Sequence, residues 1–284
     1  MQAAQFQLHA EIEERHWWFL ARRQIVRRLI AEVLPPSPET TIIDVGCGTG
    51  ANIASLADAY RCVGIDTSAD AIRLARGRFP TVKFLQGFAP ADLGDEIDQA
   101  RLVMMMDVLE HVSDDFALFS SLLAATRPGT WFLLTVPADM TLWSEHDESF
   151  GHYRRYDLAR FRQLWQGLPV TEVLASPFNS RLYPLVKLVR SWNRMRGHSA
   201  GAAGTDFDLP SPPVNALLRR TFAAEAGRLT GLLNAERTDT YRRGVSLVAL
   251  LRREAGAIEP RTKPLALGGQ DRDPAGFACA AAAH

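Results

Sequence analysis

Cysteine is scarce in these 284 residues. Cys47, Cys62 and Cys279 are odd in number and far apart, which excludes a disulfide framework and any CxxC metal pair, and no metal site is expected. A reducing, cytoplasmic setting is the simplest expectation. Charge of one sign is also missing: Lys+Arg and Asp+Glu are 32 each. No global field draws the chain to nucleic acid, and no continuous basic face with stacking aromatics is present, so no nucleic-acid partner is expected. No apolar run reaches the roughly 18 residues needed to span a bilayer. Glu11, Glu13 and Glu14 near the start are unlike a signal peptide. There is no internal repeat.

What the chain does have is ordinary globular composition, 47% hydrophobic and 23% charged. At roughly 100–200 residues per domain, the length fits one large domain or a domain with a modest cap. Residues 1–40 read as an N-terminal helical lid, with Phe19, Ile25, Val26, Leu29, Ile30 and Val33 at helical spacing and Pro35, Pro36 and Pro38 ending it. Residues 41–176 alternate short apolar runs (41–45, 62–65, 82–85, 102–106, 131–136) with helical stretches (51–59, 69–79, 116–126). Such runs are strands buried on both faces, and the alternation implies a parallel, doubly wound sheet. Residues 177–240 read as a helical cap with a Gly/Pro-rich loop at 197–213. Residues 241–254 hold a last strand, 244–251, expected to pair with 170–174. Residues 255–284, with Pro260, Pro264, Gly268, Gly269 and an alanine run, read as a flexible tail. The fold class is therefore α/β, a mostly parallel seven-stranded sheet with a helical cap inserted before its last strand.

The sharpest feature is Asp44-Val45-Gly46-Cys47-Gly48-Thr49-Gly50, placed where a strand gives way to a helix. Glycines there let the backbone turn tightly and approach a ligand. Asp66 closes the next strand, 16 residues after Gly50, where an acid accepts hydrogen bonds from ribose hydroxyls. A dinucleotide site would read G-x-G-x-x-G; here the spacing is G-x-G-x-G.

This stretch resembles the first motif of class I S-adenosylmethionine-dependent methyltransferases. The resemblance implies a Rossmann-like fold with S-adenosylmethionine as cofactor. The loop (Asp44, Gly46, Cys47, Gly48, Gly50) would wrap its methionine part, and Asp66 with Thr67 would hold its ribose. Two further stretches resemble the family: Leu85-Gln86-Gly87-Phe88, whose Gly87 and Phe88 fall near the adenine, and Met104-Met105-Met106-Asp107-Val108, whose last three residues fall at the cofactor edge. Phe88 stands where the family usually has a small polar or acidic residue. The three methionines fit strand core, and Cys47 a small loop residue rather than a nucleophile. Glu110 and His111 read as a helix start and a solvated pair, with His111 also a candidate for touching substrate.

Two polar segments remain. The 142–156 stretch packs two His, three acids, two Arg, two Tyr and a Trp into 15 residues beyond the fifth strand, at the end of the sheet where α/β folds bind ligands. His146 or His152, with Tyr153, are candidate catalytic residues, an imidazole serving as general base. Arg154 and Arg155 are candidates for gripping a carboxylate or phosphate, and Tyr156 for lining the pocket. Near the start, Trp17, Trp18 and Phe19 cannot share one helical stripe, so some cover a ligand or dock on the core. Together these segments resemble a bacterial small-molecule subgroup of the same methyltransferases.

Leu182, Leu185, Val186, Val189 and Trp192 make an apolar stripe among Lys187, Arg190, Arg194 and Arg196. Such a helix packs on its own domain or lies on a membrane surface as a peripheral contact. The expected activity is methyl transfer to a small or amphiphilic, anionic acceptor at oxygen or carbon: a natural-product, prenyl or lipid-linked intermediate. A nicotinamide-dependent oxidoreductase and a non-catalytic methyltransferase-like partner subunit are the alternatives. Acceptor and oligomeric state are not written in the sequence.

Overall fold

The apolar runs form the strands that their spacing predicts, with ends shifted by a few residues. A computed structural model describes residues 3–195, 208–268 and 271–272. In chain order the elements are α1 (Ala3–Ile12), α2 (Trp17–Val33), β1 (Ser37–Val45), α3 (Ala51–Ala54), β2 (Tyr60–Asp66), α4 (Ala69–Arg78), β3 (Lys83–Gln86), α5 (Glu96–Gln99), β4 (Ala100–Met106), α6 (Asp115–Ala125), β5 (Trp131–Pro137), α7 (Glu145–Ser149), α8 (Leu158–Gln163), β6 (Val170–Phe178), α9 (Tyr183–Met195), α10 (Pro212–Ala223), α11 (Ala226–Leu233), β7 (Ser246–Arg253) and α12 (Leu265–Gly268). The Gly/Pro-rich loop expected at 197–213 lies largely outside the described residues.

The seven strands form one sheet in the order β3-β2-β1-β4-β5-β7-β6. β7 runs antiparallel to both β5 and β6; the other pairs are parallel. β1 and β4 sit side by side although β2 and β3 intervene in sequence, so the order reverses there. In open α/β sheets the crevice outside the strand ends at such a point is the ligand site.

Both faces of the sheet are covered, which explains why the strands read as unbroken apolar runs. Ile42, Leu102, Met104 and Leu250 pack toward α2, α4 and α11; Ile43, Val103, Met105 and Phe132 pack toward α6 and α8. Met104, Met105 and Met106 alternate between the faces as buried core. α2 buries Ile25, Leu29 and Ile30 completely, each worth about 1.5–3 kcal/mol.

One expectation changes. The stretch after Ala255 does not leave the body as far as Arg272: Ile258 and Leu267 pack against the core, and the Arg261 N–H donates to Ser120 Oγ at 2.8 Å. Polar pairing with the body holds a segment whose composition lacks periodicity. Leu182, just before α9, and Leu185, Val186 and Val189 of α9 line the cavity beneath it; Leu185 and Val189 remain half-exposed, and Leu188 and Met195 are 66% and 74% exposed. Among the described residues, no helix is long and apolar enough to cross a membrane.

Candidate active site

A cavity of about 480 Å³ opens at the carboxyl ends of β1 and β4. The glycine loop forms its floor. The Gly46 and Cys47 N–H groups both donate to the Ile65 carbonyl, at 2.8 and 3.1 Å, which ties the start of the loop to β2. Gly46, Gly48 and Gly50 all have left-handed φ, +71°, +53° and +89°. A side chain at Gly46 would meet Val108 Cγ2 at 2.6 Å and one at Gly50 would meet Phe84 at 2.8 Å, whereas a Cβ on Gly48 would meet nothing within 4 Å. Two glycines are thus required by packing, and Gly48 keeps open space above the loop.

Asp66 holds the loop in that shape. Its carboxylate accepts from the Gly48 N–H at 2.9 Å and from the Ser68 N–H at 2.8 Å. Asp44 is different: it is fully buried beneath the loop, and neither carboxylate oxygen has a hydrogen-bond partner. Burial pushes its carboxyl well up, with Arg22 opposing and Asp66 adding to the shift. An unsatisfied buried carboxyl costs free energy unless a donor or cation is brought to it. The Cys47 thiol is pushed up by burial and by the Asp44 and Asp66 charges, so it stays protonated and is no nucleophile.

The helical segment at the start of the chain supplies one wall. Glu13, just after α1, accepts from Thr49 Oγ1 at 2.5 Å and pairs with Arg78, fastening the end of that helix to the loop. Arg22 of α2 lies 4.1 Å over the Trp18 ring and pairs with Asp107. Asp107 follows β4 with a left-handed φ of 58° and also accepts from Thr135 Oγ1 at 3.1 Å. Trp17 and Trp18 both line the cavity; Trp17 meets Phe222 edge-on, and Phe19 is buried beside them.

The opposite wall carries the polar segment. Asp147, completely buried, accepts from Arg155 Nε at 2.8 Å and Nη2 at 3.0 Å, and lies 2.8 Å from His152 Nδ1. Burial alone would raise its carboxyl, but Arg155 and His152 hold it far below the usual range. An ionised carboxylate only accepts, so His152 carries a proton on Nδ1 and directs Nε2 away from Asp147. His111 stands 4.6 Å and His146 6.2 Å from His152, ring centre to ring centre. Burial pushes His111 down to about 3 and His146 well down, so both are neutral near pH 7.

The structure therefore gathers Trp17, Trp18, Gly46, Cys47, Gly48, Met106, Asp107, His111, His146, His152 and Arg155 around one cavity. Asp44, Gly50 and Val108 support the loop from behind. Asp66, Thr67, Gly87 and Phe88 lie outside the cavity wall at the ends of β2 and β3, with Phe88 70% exposed. Tyr153 is outside it too, stacked on Arg154. Arg154 and Tyr156 are not in the wall at all. Arg154 donates to Asp271 and to the Leu109, Val112 and Ser113 carbonyls; Tyr156 is fully buried and donates to Asp115 at 2.8 Å. Arg155 reaches the wall, but Asp147 and the Ala138 carbonyl occupy its guanidinium. The expected pair of arginines for an anion is thus spent on internal bonds.

Sequence reasoning missed several wall residues. Glu110, expected to be solvated, is completely buried, with both oxygens unpartnered. Asn179, at the end of β6 with a φ of 53°, is buried in the wall with an unpartnered amide. Arg22 and Asp147 were invisible because their partners lie far off in sequence or inside a run of charges.

The model of a methyltransferase domain family matches residues 18–174, more than half of the chain. A trans-aconitate 2-methyltransferase of Azoarcus sp. is 32% identical over 123 residues, 41% of this chain and 46% of that protein. One from Rhodopseudomonas palustris is 26% identical over 187 residues, 62% and 69% of the two chains. The match thus spans about half of the first relative's length. A chain of the Haloferax volcanii complex between the Trm112 methyltransferase activator and a methyltransferase superposes with a TM-score of 0.54 at 18% identity, covering 89% of this chain and 96% of that one. A TehB-like S-adenosylmethionine-dependent methyltransferase from Corynebacterium glutamicum gives 0.51 at 16% identity, with 89% and 100% covered. These two share the fold. The family match sets aside the nicotinamide-dependent alternative, and the open floor at Gly48 with the orphaned Asp44 beneath it fits a cationic methyl donor. The chain belongs to the class I S-adenosylmethionine-dependent methyltransferases.

Proposed function

We propose that this enzyme methylates an oxygen or acidic carbon of a small or amphiphilic, anionic acceptor. The observation that carries this reading is the split lining of one cavity. Apolar Leu182, with Leu185, Val186 and Val189 of α9, roofs it, His146 and His152 stand in the wall, and the glycine loop forms the floor. The roof fits an acceptor with an apolar body, and Arg190, whose guanidinium donates to the Leu142 carbonyl at the edge of the lining, lends positive charge toward its anionic end. The trans-aconitate methyltransferases among the relatives carry, by their name, a small polyanionic acceptor.

When bound, S-adenosylmethionine would supply a sulfonium methyl, to whose carbon the acceptor's lone pair bonds as the carbon–sulfur electron pair returns to sulfur and S-adenosylhomocysteine leaves. The protein's part is to hold and orient. Gly46, Cys47, Gly48 and Gly50 cradle the amino-acid end of the cofactor with Asp44 below. Asp66 and Thr67 would hold the ribose beyond the cavity wall, Gly87 and Phe88 would flank the adenine, and Met106, Asp107 and Val108 would border it. Trp17 and Trp18 shield the reacting centre from water, and Asn179 offers its amide to the acceptor. Holding two reactants in line removes much of the entropic barrier. His146 or His152 removes the proton of a hydroxyl or acidic carbon; a carboxylate acceptor needs no base.

The test is a panel of acceptors incubated with methyl-labelled cofactor: small polycarboxylates including trans-aconitate, phenols, and amphiphilic prenyl or lipid-linked acids. Label should pass to anionic members of the panel. For a hydroxyl acceptor, His146→Ala or His152→Ala should lower kcat by about 10²–10⁴. Transfer confined to amines or cationic acceptors would refute the reading.

A further inference from the structure

We propose that Glu110, His111 and His152 form a binding site for one divalent transition-metal ion in the acceptor half of the cavity. Each of the three offers a ligand atom, and those atoms lie within 4.8 Å of one another. To bind one ion at the roughly 2.0–2.2 Å of a metal–ligand bond, the side chains would rotate to bring these atoms closer together. Two imidazoles and one carboxylate on one side of an ion, with the remaining positions open, suit zinc, manganese, cobalt or ferrous iron. All three residues line the cavity, so the open positions face the acceptor.

Two independent features point to an ion rather than to an ordinary polar cluster. Glu110 is completely buried with neither oxygen bonded, and a cation satisfies both at once. Both imidazoles are also oriented from behind. Asp147 sits 2.8 Å from His152 Nδ1, and His111 is hydrogen-bonded to the Phe150 backbone. Ligating histidines nearly always direct their second ring nitrogen to a carboxylate or carbonyl, which fixes the ring and raises its basicity. The charges nearby do not forbid a dication: Arg155 is neutralised by Asp147, and Arg22 by Asp107.

Such an ion gives the cavity the positive charge that Arg154 and Arg155 do not supply. It would hold an acceptor oxygen beside the methyl donor and lower the pKa of an acceptor hydroxyl. With His152 a ligand, His146 becomes the proton acceptor. The inference rests on the proposed acceptor chemistry for its purpose, but not for its test.

The test uses the full-length protein, freed of any purification tag and stripped with chelator. Cobalt(II) is titrated and followed by visible absorption, with zinc(II) as competitor and S-adenosylhomocysteine binding measured in parallel. The expected result is one cobalt per chain, displaced by zinc, with binding at least tenfold weaker in Glu110→Gln and in His152→Ala. Homocysteine-cofactor binding should persist in both variants. Wild-type protein that binds no stoichiometric cobalt overturns the proposal, as does Glu110→Gln binding cobalt like wild type. Should either variant fail to bind S-adenosylhomocysteine because it has not folded, His111→Gln replaces it under the same criteria. Failure of the metal leaves the acceptor reading standing; that reading fails separately, on the acceptor panel.

Discussion

On the glycine-loop side of the cavity the wall is backbone. Gly46, Gly48 and Gly50 hold left-handed turns, one carboxylate ties the loop down through main-chain N–H groups, and the buried Asp44 below it is left without a donor. On the facing side the wall is side chain: Arg155, Asp147 and His152 satisfy one another in a buried chain of charge-assisted bonds, while Glu110 and Asn179 are left unpaired. The first wall suits a cofactor common to a whole family, since backbone geometry is set by a short run of glycines. The second is built from side-chain pairings brought together by the fold.

The largest expected effect breaks the side-chain wall. Arg155→Met leaves the Asp147 charge buried beside His152 alone, and losing one member of a buried pair costs about 3–5 kcal/mol; urea unfolding should show it. Next comes a contrast within the backbone wall. Gly46→Ala meets Val108 at 2.6 Å with φ at +71°, whereas Gly48→Ala has open space at φ +53°. Both incur the left-handed penalty of about 1–2 kcal/mol, but only Gly46→Ala should lose further stability. Both should weaken S-adenosylhomocysteine about tenfold or more by calorimetry.

A third test uses Asp44. Its raised folded pKa means the native state binds more protons than the unfolded chain above the ordinary value of 3.8, so stability of the cofactor-free protein falls as pH rises through that window. Asp44→Asn should raise Tm at pH 7, flatten that slope and weaken cofactor binding. The smallest effect lies at the N-terminus of α2, where His16 accepts from the Trp18 N–H at 3.3 Å. Burial pushes His16 down to about 4, so its stability contribution is present above its ordinary value of 6.5 and is lost as pH falls toward 4. His16→Asn, a better cap, should keep about 1 kcal/mol in that range, read from thermal melts at pH 5 and pH 7.

Much of the fold was legible because both faces of the sheet are buried, which turns strands into continuous apolar runs. The glycine loop was legible because left-handed turns need glycine. Strand ends were not: β6 continues through Pro177 to Phe178 on the strength of its pairing with β7, a tertiary fact. The cap helices α10 and α11 were seen as helical, but nothing local says that they pack on α2. In the site, the histidines and tryptophans stood out by chemistry, while their partners did not. Glu110 and Asp147 look like any surface acid until the fold buries them, and Arg154 looks like an anion ligand until Asp271 is placed beside it.

The central claim is that the cavity floored by the glycine loop, which Asp66 ties down, holds the methyl donor. Calorimetric titration of S-adenosylhomocysteine into wild type and Asp66→Ala tests it most directly. One site per chain is expected, weakened at least tenfold in the variant while the melting curve remains cooperative; affinity unchanged by the substitution would contradict it.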